Sequence, residues 1–440
     1  MRKLFSIVFS AILLLIVSAQ GTWAQKVKVY QVVRRSMAWA MLCLAVCMLG
    51  VGVSAGAQKA TIVTFDAPGA GTDPGQGTTP NGIDAQGAVV GWYMDAGNVN
   101  HGFLRTPDGR FTTIDVPGAG TGAGQGTVAF AINQAGAITG TYFDASCLYH
   151  GFLRAPDGTI TTVDAPGAGT VGGYCSTGLF WTLMKGTAAQ NINAAGTITG
   201  IYTDPSGVGH VFLRAPHGTF TTFDAPGAGT GDVQGTWTTT FYGLNPEGAI
   251  SGWYVDASGA FHGYLRAPKG TVTTFNARGA GRGNFQGTVA MALNPERAVT
   301  GFYLDGSNVF HGFLRAPDGK LTTFDVSGGG TGYFQGTYPA SNNPAGEITG
   351  NYTDTNDVNH GFLRAPDGRF TTFDVPGAGT GAYQGTIPYG NNPAGATVGA
   401  YVDANGVSHG FLRIPSPPPC RSGERMQPWE KCDDHQEHQR

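Results

Sequence analysis

From about residue 60 onward the chain is built of short runs in which apolar and polar residues alternate, and the runs come in sets of four. In one set they are TVAFAIN (127–133), AITGTYFD (137–144), YHGFLRA (149–155) and TITTVD (159–164). A period of two predicts β-strands, labelled here A, B, C and D in chain order. The residues between the runs fit antiparallel pairing. Asn133-Gln-Ala-Gly136 separates A from B, and Ala155-Pro156-Asp157-Gly158 separates C from D. Gly supplies a positive φ, Pro presets the first turn residue and Asp tolerates the second, so both connections read as tight hairpins. Along strand C, His, Phe and Arg fall on one side and Gly and Leu on the other. No stretch after residue 57 has a helical period.

The set recurs seven times, anchored by His101, His150, His210, His262, His311, His360 and His409. Successive anchors are 49, 60, 52, 49, 49 and 49 residues apart, with 11 extra residues inside 171–186 and three around 237–241. A four-stranded meander of this length cannot bury both faces alone, and stacking copies radially solves that. The predicted fold is therefore all-β, a seven-bladed β-propeller of four-stranded antiparallel blades. The chain ends carry the same message. A lone D-type strand, residues 61–66, opens the repeat region, and the last set, 386–413, stops after its C strand. A ring closed by lending the first strand to the last blade accounts for both. Pro80, Pro339 and Pro388 fall in strand A, which suits an innermost strand with an unpaired edge. An open β-solenoid is the alternative, although its coils are usually shorter.

Composition narrows the function. Charged residues are 12% and the net charge is -3, with one recurring Arg per repeat, at the end of strand C, and no basic stripe, which excludes nucleic-acid binding. Glycine is abundant, 71 of 440, yet 41% of residues are hydrophobic and lie at a fixed period, which argues for a packed fold over disorder. Residues 1–57 read as an export leader in two copies, each with a basic start, an apolar run and small residues at its end. A start site near residue 33 with cleavage after Ala57 explains the duplication; an uncleaved leader would tether the protein to a membrane. The propeller is assigned to 58–415 and a Pro-rich, charged tail to 416–440. Four cysteines remain after the leader, and an even number suits an oxidising compartment.

The pattern G-x-I-N-x-x-G-x-I-x-G-x-Y-x-D, followed by H-G-F-L, resembles the bacterial extracellular HAF-type repeats over roughly 60–413. The middle residue of the family's His-Ala-Phe tripeptide is Gly here, or Val211 in one copy. The resemblance implies export and a β-rich repeat domain, and it brings no catalytic residues.

Seven His, one Arg per repeat and seven Asp (Asp95, Asp144, Asp204, Asp256, Asp305, Asp354 and Asp403) raise the question of a metal or acid–base site. In a ring, strand C would lie ~15 Å from the axis and equivalent positions ~13 Å apart, given strand spacing near 4.8 Å. Ligands to one zinc must lie within about 2.1 Å, so the copies cannot share an ion. Asp at the end of B and His at the start of C flank a tight turn and read as structural, bonding each other or turn amides. The tail segment Cys432 to His438 reads as a solvated terminus. No cofactor or catalytic set is assigned.

A binding site belongs where the repeat is broken. The B–C and D–A connections emerge on one face of such a ring, and there stand Tyr174, Phe180, Trp181, Trp237, Arg278, Arg282, Phe285, Tyr333, Phe334 and Tyr383. Exposed aromatics can stack on sugars or grip a peptide, and Arg can pair carboxylates. Cys147 and Cys175 lie on that face and are predicted to form a disulfide, with Cys420 and Cys432 pairing in the tail. The leading reading is an exported, non-enzymatic binding or cell-surface interaction module for a glycan or peptide. A structural envelope or matrix component, or a propeller-type polysaccharide hydrolase or lyase, is the alternative.

Overall fold

A computed structural model describes residues 60–172, 175, 185–239 and 242–416. The leader, Tyr174, Phe180, Trp181, Cys420 and Cys432 lie outside these residues. The described chain holds 28 β-strands and no helix. In the second repeat the strands run Gly126–Ile132, Ile138–Phe143, Tyr149–Arg154 and Ile160–Val163, within a residue or so of the alternating runs. A pairs with B, B with C and C with D, always antiparallel.

The meanders close on themselves. The N-terminal strand Thr61–Phe65 pairs antiparallel with Ser408–Ile414, from Thr61 opposite Ile414 to Phe65 opposite Gly410. This closure excludes an open solenoid and gives an all-β ring of propeller type. One expectation is corrected. The blades are not separate four-stranded sheets but parts of one 28-stranded sheet. A parallel bridge joins the first residue of each strand C to the Gly that opens the next strand A, as at Asn100 and Gly126 or Ser408 and Gly77. Gly126 has φ 105°, and a Cβ there would collide with the Asn100 carbonyl. Only glycine lets the two backbones meet.

The core lies between repeats. Phe152 is fully buried among Ile138 and Tyr142 of its own repeat and Val90 and Ile114 of the one before. Gly140 on strand B leaves the space its ring edge fills. The Arg that ends strand C lies over the D-strand Phe of the preceding repeat at 4.7–5.3 Å in five copies. Arg154 and Arg214 face Ile114 and Val163 at that position and make no such contact. Pro80, Pro339 and Pro388 each stand at a β-bulge in strand A, where the ladder is already interrupted.

Tyr242, from the lengthened fourth repeat, leaves its own blade altogether. Its hydroxyl accepts a hydrogen bond from the Ile83 N–H at 3.2 Å, and its ring lies against Gly390, while its carbonyl accepts from Leu293 N–H at 2.9 Å. These partners belong to the inner strands of the first, seventh and fifth repeats. The side chain thus spans the centre of the ring at its A–B end.

Candidate functional site

At the opposite end, each repeat sets its His between two polar partners. The Asp closing strand B folds back on its own turn: Asp256 Oδ1 accepts from the N–H groups of Ser258 and Ala260 at 2.8 and 3.0 Å. The His ring stacks on the strand-B Tyr, with centroids 4.7–5.0 Å apart. Its Nδ1 lies 2.8–3.0 Å from the Asp after strand D in six repeats, namely Asp115, Asp164, Asp224, Asp325, Asp374 and Asp66. Nε2 faces the strand-B Asp at 3.4–3.7 Å in the same repeats. Bonding to the D-strand Asp raises the pKa of His150, His210 and His311 against the opposing effect of burial. Burial would raise the Asp256 carboxyl, but the Ser258 hydroxyl, His262 and the turn amides outweigh it and bring it down to about 2. Both ring nitrogens are engaged, and the arrangement serves the turn in every repeat. Among the described residues no group of three such side chains is placed to hold a metal ion.

The D–A loops sit between neighbouring B–C turns and are tied to both. Gln286 Oε1 accepts from Gly283 N–H at 3.0 Å, while its Nε2 donates to Gly306 of the next repeat at 3.2 Å. Phe285 N–H donates back to Gly259 at 3.0 Å. The second repeat has Lys185 where the other six have this Gln. There the Cys147–Cys175 disulfide joins turn to loop, with the Cα atoms 5.0 Å apart.

The residue before the clamping Gln is left-handed throughout: Gly75 and Gly124 in two loops, then Val233, Phe285, Phe334 and Tyr383 at φ 58–64°. Three consecutive repeats therefore hold an aromatic side chain outward at a position filled by glycine in two other loops and by Val233 in a third. Exposure is 43% for Phe285, 44% for Phe334 and 78% for Tyr383, with neighbouring Tyr333 at 67%. Phe334 stacks on Phe310 at 5.6 Å and lies tilted against Tyr333 at 4.2 Å, which fixes the ring. Trp237 does not belong to this face, contrary to expectation. It is 1% exposed and packs among Val211, Ile201 and Val255, because the third residue of strand A points between blades.

The fourth repeat departs furthest from the pattern. Asn276 stands where the other six repeats have Asp, Arg278 where five have Pro and one Ser, and Arg282 where six have Thr. His262 keeps its Nδ1 contact, to the Asn276 side chain at 2.9 Å, and draws Nε2 in to Asp256, also at 2.9 Å. A cleft of about 550 Å³ opens here, lined by Asp256, Ser258, His262, Asn276, Arg278 and Arg282 among others. Reading by residue type finds the two Arg but passes over Asn276, which becomes visible only when the seven loop starts are aligned on one another.

No family model and no curated protein matches the chain. Among solved structures, that of a streptogramin B lyase is similar with a TM-score of 0.49 at 14% identity, covering 81% of this chain and 99% of that one. A prolyl endopeptidase structure is similar at 0.47 and 11% identity, over 81% and 50% of the two chains. The BP39L lectin from Burkholderia pseudomallei is similar at 0.41 and 12% identity, over 81% and 99%.

Proposed function

We propose that this protein is an exported, non-enzymatic carbohydrate-binding module, built as a seven-bladed propeller that holds its ligand on the face of the B–C turns and D–A loops. The observation that carries the reading is the row of aromatics at left-handed positions, Phe285, Phe334 and Tyr383, with Tyr333 beside them. A side chain with a Cβ is about 1–2 kcal/mol less stable than glycine in that conformation. Phe285 and Phe334 recover part of this by packing on Phe261 and Phe310, but Tyr383, 78% exposed, does not, and strain retained at an exposed position points to use. Flat, fixed rings suit the C–H faces of sugars. The loop backbone beneath them is already hydrogen-bonded, so binding requires little ordering. The disulfide supports an oxidising compartment, in keeping with the leader and with the resemblance to exported HAF-type repeats.

The test is a glycan array probed with the full chain and with Phe285→Gly, Phe334→Gly and Tyr383→Gly combined. Glycine is native to this loop position, so the variant folds. Binding by the parent and its loss in the variant is the expected result. Equal binding by both proteins, or by neither, would remove the aromatic face from the account.

A further inference from the structure

We propose that the cleft of the fourth repeat is an anion subsite, and that the ligand of this face is an acidic polysaccharide whose uronate carboxylate enters it. This rests on the carbohydrate-binding reading and specifies its ligand.

The charge argument is internal to the chain. The other six repeats surround their His with two carboxylates. The fourth loses one carboxylate at Asn276 and gains guanidinium groups at Arg278 and Arg282, a change of three charges in the positive direction within seven residues. Drift in a solvated loop would scatter such changes around the ring. Here they coincide in one repeat, and they line one cleft.

Nor is the positive charge spent inside the protein. Among the described residues, neither Arg278 nor Arg282 has an ion-pair or hydrogen-bond partner, and both are exposed. The one carboxylate in the cleft, Asp256, is occupied by two turn amides, the Ser258 hydroxyl and His262. Asn276 keeps the geometry of the His bracket without its second negative charge, which would repel an incoming anion. Two free guanidinium groups at a cleft of about 550 Å³ match a carboxylate carried on a sugar-sized body.

Position along the face selects a polymer of sugars over an acidic peptide. Phe285 follows Arg282 on the same loop, and Tyr333, Phe334 and Tyr383 continue through the next two repeats. A chain anchored by a carboxylate in the cleft meets a ring in each successive repeat, which suits repeating pyranose units. Several of the backbone N–H groups a peptide would use at this face, those of Gly281, Phe285, Gly330, Phe334, Gly379 and Tyr383, are already paired.

Isothermal titration calorimetry separates the possibilities with three probes: an oligogalacturonate, its fully methyl-esterified form and poly-L-glutamate. The full chain is compared with a variant carrying Asn276→Asp, Arg278→Pro and Arg282→Thr, each the residue other repeats place there. The free acid should bind the parent at least about tenfold more tightly than the ester, with the preference shrinking in added salt. The variant should lose the preference and keep the affinity for the ester. Equal binding of acid and ester by the parent would overturn the anion subsite while leaving the carbohydrate reading intact, provided the aromatic-to-glycine variant abolishes both. Retention of the preference in the charge variant would also overturn it. Tighter binding of poly-L-glutamate than of oligogalacturonate would make the ligand an acidic peptide, and failure of every probe would overturn both readings.

Discussion

Replacing Phe65 by Ala tests the seal of the ring. Phe65 sits on the lent N-terminal strand, half-buried, with Phe103 and Phe111 at 6.5 and 6.0 Å and the Arg105 guanidinium 4.7 Å above its ring. Phe324 occupies the equivalent place within the continuous chain, with Phe370 at 5.9 Å and Arg364 at 4.9 Å. Removing a fully buried Phe side chain costs about 3–5 kcal/mol, so a half-buried ring accounts for roughly 2 kcal/mol. Loss of the cation–π contact adds ~0.5–1 kcal/mol. Both substitutions should therefore destabilise by about 2–3 kcal/mol. With ~2.1 cal/mol/K of unfolding entropy per residue over about 350 residues, the midpoint temperature falls by ~3–4 °C. Urea unfolding followed by tryptophan fluorescence gives the free energies, provided the slopes agree. If Phe65→Ala costs under ~1 kcal/mol while Phe324→Ala costs the full amount, the first strand does not seal the ring in solution. Small effects at both sites would refute the estimate of the stack itself.

Three other outcomes follow from the same geometry. Phe362 is fully buried between blades, and Phe362→Ala should cost about 3–5 kcal/mol in the same urea assay; under ~1 kcal/mol would mean the packing face is misassigned. The Cys147–Cys175 link closes a loop with a separation of 28 residues, so reduction should destabilise by about 3–4 kcal/mol. Non-reducing intact-mass analysis checks the bond directly, and two free thiols in the native protein would refute it. The His brackets give a pH dependence of defined sign. His150, His210 and His311 have raised pKa values, so their contribution is full below about 6.5 and is lost as pH rises through the folded values. Asp95, Asp144, Asp256, Asp305, Asp354 and Asp403 are lowered, so theirs is present above about 3.9 and is lost as pH falls through the folded values, Asp256 last at about 2. Thermal midpoints should therefore peak between these limits, and a flat profile from about pH 6 to 9 would show that the three His are not held protonated.

Much of this architecture is legible in the sequence because the repeat is nearly exact. Strand A to D order, the turns and the spare first strand all follow from a period of two inside a period near 49. The pairing of Cys147 with Cys175 follows once B–C and D–A connections share a face. The parallel bridges do not follow, since nothing in Gln-Gly-Thr states that the Gly has a positive φ or lies against another strand. Trp237 is misplaced because its size drew attention to the face. Comparison with Val128, Ala188 and Val289, all buried at the same step of strand A, sends it inward. The left-handed setting of Phe285, Phe334 and Tyr383 is foreshadowed only by Gly75 and Gly124 at the matching positions.

The reach of Tyr242 to Ile83 and Gly390 has a bearing on how anything is captured by this molecule. One phenol of the fourth repeat thereby braces the inner strands of the first and seventh repeats across the ring. On the proposed reading a long ligand would lie over the loop rim, on the side away from this brace.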